Sequence, residues 1–570
     1  MEAGKRIGWT SLPQMMLELA AHRQDQPLHR HWHDGVWRRV TWGEFAHRVA
    51  AVAAGLRGIG IAPGDRVLLV SENRPEFVIA DTALTAIGAV TVPTYTTNTP
   101  GDHAHILRDS GARAAIVSGA ALARKVVEGA ADAGGLDLLV TMETADAKSP
   151  GLPVPRIVPW AELEAARGDL DMLRAEAEQI PAGRLACLIY TSGTGGLPKG
   201  VMLPHKAMLA NRQGVAQLAD RLHLEGECYL SFLPLSHSYE HTVGGFLLAS
   251  LGLEVVFSRG ADKLAAEFAE VKPAIVTAVP RLFEVLRART LAGVEKEGGW
   301  KAKLFHQAVA FGFRKMDGPR LNIFEKAQDM LLDRLVRRKV RARFGGRMQA
   351  FVSGGARLDP ELSGFFIALG LPVIQGYGQT EAGPVVSVNV PWDNRRDTVG
   401  EPLPGVEARF AEDGELCVRG DLVMDGYWND PEGTARAIQD GWLHTGDVGA
   451  MVEGRIRITD RKRDFIKTLG GDMVSPAKLE GLLMAEPEIA QAVVAGEGKS
   501  AIVALVVPAD GAEASQAVAR VNAKLSSIER IRKTAPVAPF TVENGLLTPT
   551  MKVKRRVVLE RHAAVVEAMY

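Results

Sequence analysis

The chain is poor in cysteine. Only Cys187, Cys228 and Cys417 occur in 570 residues, with no CxxC spacing among them. That excludes a disulfide framework and argues against a structural zinc site, as expected in a reducing cytosol. There is also no surplus of charge, with 67 Lys plus Arg against 67 Asp plus Glu. Proteins that hold nucleic acid through its phosphates usually carry a basic excess, so no nucleic-acid partner is expected. Long apolar runs are missing too. The two greasiest, Phe77–Pro93 and Gly244–Phe257, are broken by Asp81 and Glu254 and fall short of about 18–20 clean apolar residues, so no transmembrane segment is expected. Met1–Gln24 has neither the apolar core nor the small-residue cleavage pattern of a signal peptide. A cytoplasmic location is expected, with peripheral contact at a membrane surface left open.

What is present is an ordinary globular composition, 46% hydrophobic and 24% charged, which excludes collagen, coiled coil and bulk disorder. At roughly 100–200 residues per domain, the length fits several domains or one large multilobed body with a smaller one. Leu28–Trp42 alternates in period two around Asp34-Gly35, a hairpin turn. Its histidines, His29, His31 and His33, read as alternate positions of a surface hairpin rather than as a metal cluster. Beyond it, β-branched runs such as Arg66–Val70, Ala114–Val117, Leu138–Thr141, Leu185–Tyr190, Glu254–Phe257 and Ala274–Val279 alternate with longer helical patterns. This predicts layered α/β architecture with largely parallel sheets, and ligands at the carboxyl ends of the strands.

The charge run Asp460–Asp464 lies between two strand-like segments and marks the expected domain boundary. Residues 1–460 form the large body, and 461–570 form a small mobile α/β domain ending in the basic stretch Met551–Arg556. Phe324–Arg347 reads as an amphipathic helix, with Phe324, Leu331, Leu335 and Val336 near helical spacing. Its far end is crowded with arginine. That end either meets anionic lipid or a phosphate-bearing ligand, or is a solvated face.

The strongest chemical signal is LIYTSGTGGLPKGVMLPH, Leu188–His205. A strand empties into Gly193, Gly195 and Gly196, interleaved with Thr191, Ser192 and Thr194 and closed by Lys199. Glycines let backbone N–H groups crowd an anion, and the hydroxyls and ammonium complete a phosphate cradle. The spacing is not that of a GxxxxGK[ST] P-loop.

This loop resembles the signature of the adenylate-forming (AMP-binding) superfamily. Further motifs follow in the superfamily's order: SGGARL (Ser353–Leu358), GYGQTE (Gly376–Glu381), HTGD (His444–Asp447), DRKRDFIKTLGGDMVSP (Asp460–Pro476) and LLTPTMKVKRR (Leu546–Arg556). The segments Tyr95–Ala112 and Phe232–Thr242 are similar to those of long-chain fatty-acid–CoA ligases. The sequence departs at Gly195, where the family loop more often has a second hydroxyl residue.

The resemblance implies ATP-dependent activation of a fatty acid as acyl-adenylate, with Mg²⁺, and transfer of the acyl group to CoA as co-substrate. By resemblance, Thr191–Lys199 hold the β- and γ-phosphates, Glu381 and Thr191 serve the metal, and Thr380 bonds the α-phosphate. Tyr377 offers a face for adenine. Gly355, Ala356, Gln375, Gly376 and Gly378 line the nucleotide pocket. Asp447 accepts the ribose hydroxyls with Arg461 nearby. His237 flanks the carboxylate, and His241 matches an acyl-pocket gate. Lys552 reaches into the site during adenylation, Arg463 is the hinge, and Lys467 faces the site after rotation. Lys554 and Arg555 read as solvated charge. Transfer to a carrier protein's phosphopantetheine arm is the same-chemistry alternative, and a catalytically degenerate nucleotide-binding protein is the other. Acyl length, oligomeric state and pathway are not readable.

Overall fold

The computed structural model describes residues 8–143, 155–191, 197–462, 464–470, 472–509, 512–548 and 551–570. Ser192, Gly193, Thr194, Gly195, Gly196 and Arg463 lie outside the described residues.

Two large sheets face each other across a layer of helices. The eight-stranded sheet runs, in spatial order, Gly426–Tyr427, Lys199–Pro204, Leu185–Thr191, Val90–Pro93, Arg66–Val70, Ala114–Val117, Leu138–Thr141 and Arg156–Pro159. The nine-stranded sheet has Val373–Gly378, Ala350–Ser353, Ile275–Ala278, Cys228–Ser231 and Glu254–Phe257 at its centre. Those five pair in parallel, as do the strands from Val90–Pro93 to Arg156–Pro159. Antiparallel pairing is confined to the margins of both sheets.

The sandwiched layer explains both greasy stretches. Helix Pro75–Ala86 is buried at every residue but Glu76 and touches Val90–Pro93 of one sheet and Pro27–His33 of the other. A helix covered on all sides is apolar all round. The charges that interrupt these stretches are partnered. Asp81 meets His241, Nε2 to Oδ2 at 2.9 Å, both side chains fully enclosed. Glu254 is bonded by Arg30 and by Arg39, the latter at 2.7 Å.

The hairpin forms as Pro27–His33 and Val36–Thr41, with Asp34 and Gly35 both at positive φ. It is not merely a surface feature. Pro27–His33 also pairs in parallel with Glu254–Phe257, putting His29 opposite Val255. His29 is therefore buried against Phe45 and Phe257, and burial, reinforced by Arg48, pushes its pKa down to about 3. A neutral core imidazole results, while His33 stays at the surface beside Asp34.

A five-stranded sheet follows, in which Trp442–Val452 pairs with Arg455–Arg461. The last hundred residues build a three-stranded sheet of Ile489–Ala495, Ile502–Pro508 and Ile531–Pro536. Ile489–Ala495 and Ile502–Pro508 are mostly apolar without alternation because both their faces are covered, whereas the edge strand Ile531–Pro536 carries exposed Arg532 and Lys533. Ala492, Val494 and Ala504 pack against helices Pro476–Ala485 and Ala514–Ala523, and Val493, Val503 and Leu505 against the segment around Leu546, Val558 and Val566. Arg555 is not solvated charge, as the sequence had implied. It bonds Glu480 and the Val494 carbonyl and ties the terminal helix to this sheet.

Candidate active site

Four elements meet over the carboxyl ends of the parallel strands. Strand Ala350–Ser353 ends in Gly354 and Gly355, the latter at φ +79°, and a Cβ there would lie 3.5 Å from Lys552 Cε. The neighbouring strand, Val373–Gly378, delivers Tyr377 and then the short turn Thr380–Ala382. The ladder of Trp442–Val452 with Arg455–Arg461 sets Asp447 opposite Arg461. The fourth element belongs to the small C-terminal unit. Thr548 and Lys552 exchange two bonds, Thr548 N–H to the Lys552 carbonyl at 2.7 Å and Lys552 N–H to Thr548 Oγ1 at 3.0 Å, and so present the lysine.

These elements enclose a cavity of about 1230 Å³, larger than the roughly 300–1,000 Å³ usual for one small ligand. At its polar end, Asp447 accepts from the Tyr377 hydroxyl at 2.6 Å and from Arg461 Nε at 3.2 Å. Burial raises the Asp447 pKa, and Arg461 opposes that rise. Lys552 lies near Arg461, Asp447 and Glu381. Burial first, and Arg461 second, push its pKa down to about 8. His237 lines the same space and accepts from the Tyr239 N–H at 3.1 Å, capping helix Ser238–Thr242. Its pKa is pushed down to about 3 by burial and then by the Lys552 ammonium, so the ring is neutral.

At the phosphate-loop end, Thr191 and Lys199 face each other across the antiparallel strands Leu185–Thr191 and Lys199–Pro204. The strands that flank residues 192–196 therefore run antiparallel. Lys199 Nζ sits 2.6 Å from Asp430 Oδ2 and 4.8 Å from the centre of the Tyr427 ring. The Tyr427 hydroxyl donates to Glu381 Oε1 at 2.9 Å. From the other direction the wall is apolar, with Val215, Leu218, Leu222, Val243, Leu247 and Leu251. Val243 and Leu247 follow directly on the helix that His237 caps. One short segment therefore joins the polar end to the apolar one.

Among the expected residues, Thr191, Lys199, His237, Gly355, Gly376, Tyr377, Gly378, Thr380, Glu381, Arg461 and Lys552 line the cavity together, and Asp447 reaches it through Tyr377 and Arg461. Four others do not line it. Gln375 is a strut, donating to the Arg396 carbonyl at 2.9 Å and accepting from Leu358 N–H at 3.2 Å. Ala356 is exposed beyond the turn. His241, expected as an acyl-pocket gate, lies behind the wall, fully buried against Asp81. Lys467 is exposed on strand Ile466–Lys467, away from the cavity.

Several participants were not legible in the sequence. Asp430 and Tyr427 are defined only by what folds against them. Ser238 Oγ lies 2.8 Å from Thr380 Oγ1, and Tyr239 donates to the Val352 carbonyl at 3.0 Å. Glu240 accepts from Tyr229 and Ser231 at 2.6 Å and from Thr277 at 2.9 Å. Burial lifts its pKa to about 7 against the pull of those hydroxyls. An ionisable residue one turn ahead of the apolar run Val243–Leu251 was the available signal. Gln379 Nε2 and Thr94 Oγ1 border the cavity, buried and without a protein partner among the described residues.

Mg²⁺ needs hard oxygen ligands and usually keeps water and substrate phosphates in its shell. Glu381, with one carboxylate oxygen bonded to Tyr427, and Thr191 fit that role as a partial set. No cluster of three or more His, Cys, Asp or Glu side chains able to hold a metal unaided occurs among the described residues.

A fold of this kind, with a lysine-bearing C-terminal unit closing over strand ends that carry an aspartate–tyrosine–arginine cluster, defines a class. Residues 18–428 match the family model "AMP-binding enzyme" and residues 463–570 match "AMP-binding enzyme C-terminal domain". The chain belongs to the AMP-binding enzyme family. It is 36% identical to the long-chain-fatty-acid–CoA ligase FadD15 of Mycobacterium bovis over 96% of both chains. It is 30% identical to the peroxisomal long chain acyl-CoA synthetase 6 of Arabidopsis thaliana, covering 94% of this chain and 82% of that one. Among solved structures, the adenylation domain of a carboxylic acid reductase from Segniliparus rugosus, in complex with AMP and a co-purified carboxylic acid, superposes with a TM-score of 0.76 at 20% identity, covering 100% of this chain and 95% of that one. The o-succinylbenzoate CoA synthetase of Bacillus subtilis does so at 0.71 and 20%, covering 96% and 98%. At such identity these two speak to the fold alone.

Proposed function

We propose that the chain is an ATP-dependent fatty-acid–CoA ligase acting on medium- to long-chain acids. The observation that carries this is one continuous cavity whose polar end, with Lys552, Thr380 and Arg461, runs into an apolar wall beyond His237. The names of the relatives support it. In the first step, a carboxylate oxygen attacks the α-phosphorus of ATP, the bond to the β-phosphate oxygen breaks, and pyrophosphate leaves. In the second, the sulfur of CoA attacks the acyl carbon and gives up its thiol proton to solvent, the acyl–phosphate bond breaks, and AMP leaves with the electron pair.

Both steps need charge stabilisation more than covalent help. Lys552 steadies the carboxylate and α-phosphate, and Thr380 adds a hydroxyl held in place by Ser238. Lys199 and Thr191 receive the outer phosphates, together with Ser192–Gly196. Tyr377 and Gly376 flank the base. Asp447 exchanges its bonds to Tyr377 and Arg461 for the ribose hydroxyls. Mg²⁺, bound with ATP against Glu381, would neutralise charge on the phosphates. Neutral His237 borders the reacting carboxylate without competing with it for Lys552. Division at about residue 460, with Arg463 as hinge, lets the small domain rotate. Lys552 then withdraws and Lys467 enters for the thioester step.

The test is a saturated acid series from C4 to C20 with ATP, Mg²⁺ and CoA. Each buried methylene contributes roughly 0.8 kcal/mol, and about 1.4 kcal/mol is tenfold. kcat/KM should therefore rise about fourfold per carbon and break at roughly C12–C18, the slope from the methylene increment and the break from the family resemblance. A maximum at C4–C6, or a preference for an aromatic acid, removes the long-chain assignment and leaves adenylation standing. Adenylation without CoA consumption selects the carrier-protein acceptor. Pyrophosphate exchange that no acid stimulates selects the degenerate nucleotide-binding protein.

A further inference from the structure

The helix expected over Phe324–Arg347 is present as Ile323–Leu332, one wider turn Asp333–Arg337, and Arg338–Arg343. Its polarity is the reverse of an ordinary surface helix. The apolar residues at helical spacing face water: Phe324 is 83% exposed, Ile323 78% and Leu331 55%. Trp300, on the adjoining helix Gly299–Asp317, is 68% exposed. Scattered exposed apolar side chains are normal, but an aligned set on one element is not.

The charges are sorted as well. All three acids of the segment are held in ion pairs, Glu325 by Arg314 at 2.6 Å, Asp329 by Arg337 at 2.6 Å and Asp333 by Arg341 at 2.7 Å; Glu325 and Asp329 are mostly covered, and Asp333 stays partly exposed but paired. Arg337 is itself buried and donates to the Ala308 and Ala368 carbonyls, fixing the helix to the body. Lys326, Arg334, Arg338, Lys339 and Arg343 are exposed and make no ion pair among the described residues. The outward face therefore offers apolar side chains and unpaired cations, and the segment leaves no carboxylate unpaired. A surface that is anionic yet admits apolar groups answers both features. We propose that residues 323–343 dock the protein on anionic lipid, as a rigid helix already formed before contact.

The test is sedimentation of the full-length protein with phosphatidylcholine vesicles, with and without phosphatidylglycerol. Binding is expected to the anionic vesicles and to weaken with added salt. Arg334→Gln, Arg338→Gln and Lys339→Gln together should lower vesicle affinity by about fivefold per charge, roughly a hundredfold in all. Ile323→Ser with Phe324→Ser should cost about tenfold or more. All five side chains are exposed, so thermal melting without lipid should be unchanged in both variants. Equal binding to neutral vesicles, or unchanged binding in both variants, overturns the proposal. So does absence of vesicle binding combined with self-association that Phe324→Ser abolishes, which would assign the face to a second copy.

Discussion

Lys552 and Lys199 are both lysines on the wall of one cavity, and their surroundings differ in an instructive way. Lys199 belongs to the large body. It stays partly open to solvent, rests on the Tyr427 ring and is paired with Asp430. Lys552 arrives from the small unit. It has no carboxylate within ion-pairing distance among the described residues, and its charge is strained by burial and by Arg461. A resident cation can be kept occupied until an anion comes. A cation delivered by a rotating domain, as in the cycle proposed above, must arrive unpaired, because a partner carried with it would have to be buried too.

Removing the Lys552 side chain should have the largest effect. Lys552→Ala should slow acyl-adenylate formation by about 10²–10³ and leave thioester formation from supplied acyl-adenylate largely intact. Lys467→Ala should give the opposite pattern. Separate half-reaction assays read both, and equal damage to the two steps in either variant would sink the alternation.

Next in size is a pH effect. The Lys552 pKa lies at about 8, below its ordinary 10.5, so its proton is held less tightly when the domain is docked than when the lysine is free. Raising the pH from 8 toward 10.5 therefore favours docking. The same rise removes the charge that adenylation uses. kcat/KM for adenylation, which reports the free enzyme, should fall through a limb near pH 8 that Lys552→Arg moves upward. The thioester half-reaction should lack that limb.

Ser238→Ala should have a smaller effect. It leaves Thr380 without its hydroxyl partner, a loss of about 1 kcal/mol, or roughly fivefold in adenylation kcat, with Ser238→Thr restoring part. An unchanged kcat would show that Thr380 needs no support. Smallest of all should be Asp430→Asn. Asparagine keeps the cap on helix Pro431–Ala437 while freeing Lys199. A partly exposed ion pair is worth about 0.2–1 kcal/mol, so the apparent KM for ATP should drop by up to about fivefold. A rise instead would mean that Asp430 helps to aim the lysine.

Much of this fold could be read from the residues, and the reason is local. Strands Arg66–Val70, Ala114–Val117, Leu138–Thr141 and Glu254–Phe257 sit at their expected bounds, since runs of β-branched residues between turn signals report burial directly. The site was legible where its residues are contiguous, as in GYGQTE and HTGD. What escaped was set by partners far along the chain. Lys199 and Asp430 are 231 residues apart, and Ser238 and Thr380 are 142 apart. Arg555, read as solvated, is claimed by Glu480 on a neighbouring helix. The stripe of Phe324, Leu331 and Leu335 had the right period, but periodicity does not say which side faces water. His241 failed for a similar reason: only four residues from His237 in sequence, it is buried against Asp81 while His237 lines the cavity.

The pairing of Asp447 with Arg461 has a mechanical reading. Arg461 is the last residue of its strand and stands two positions before Arg463. In the alternating cycle proposed above, the chain pivots at Arg463, so the grip on the ribose side and the pivot are in series on one short rod. Twisting the far end loads the near one. The nucleotide's tether and the domain's axle are then parts of the same linkage, and the swing that brings in the thiol also works on the hold over the AMP it will displace.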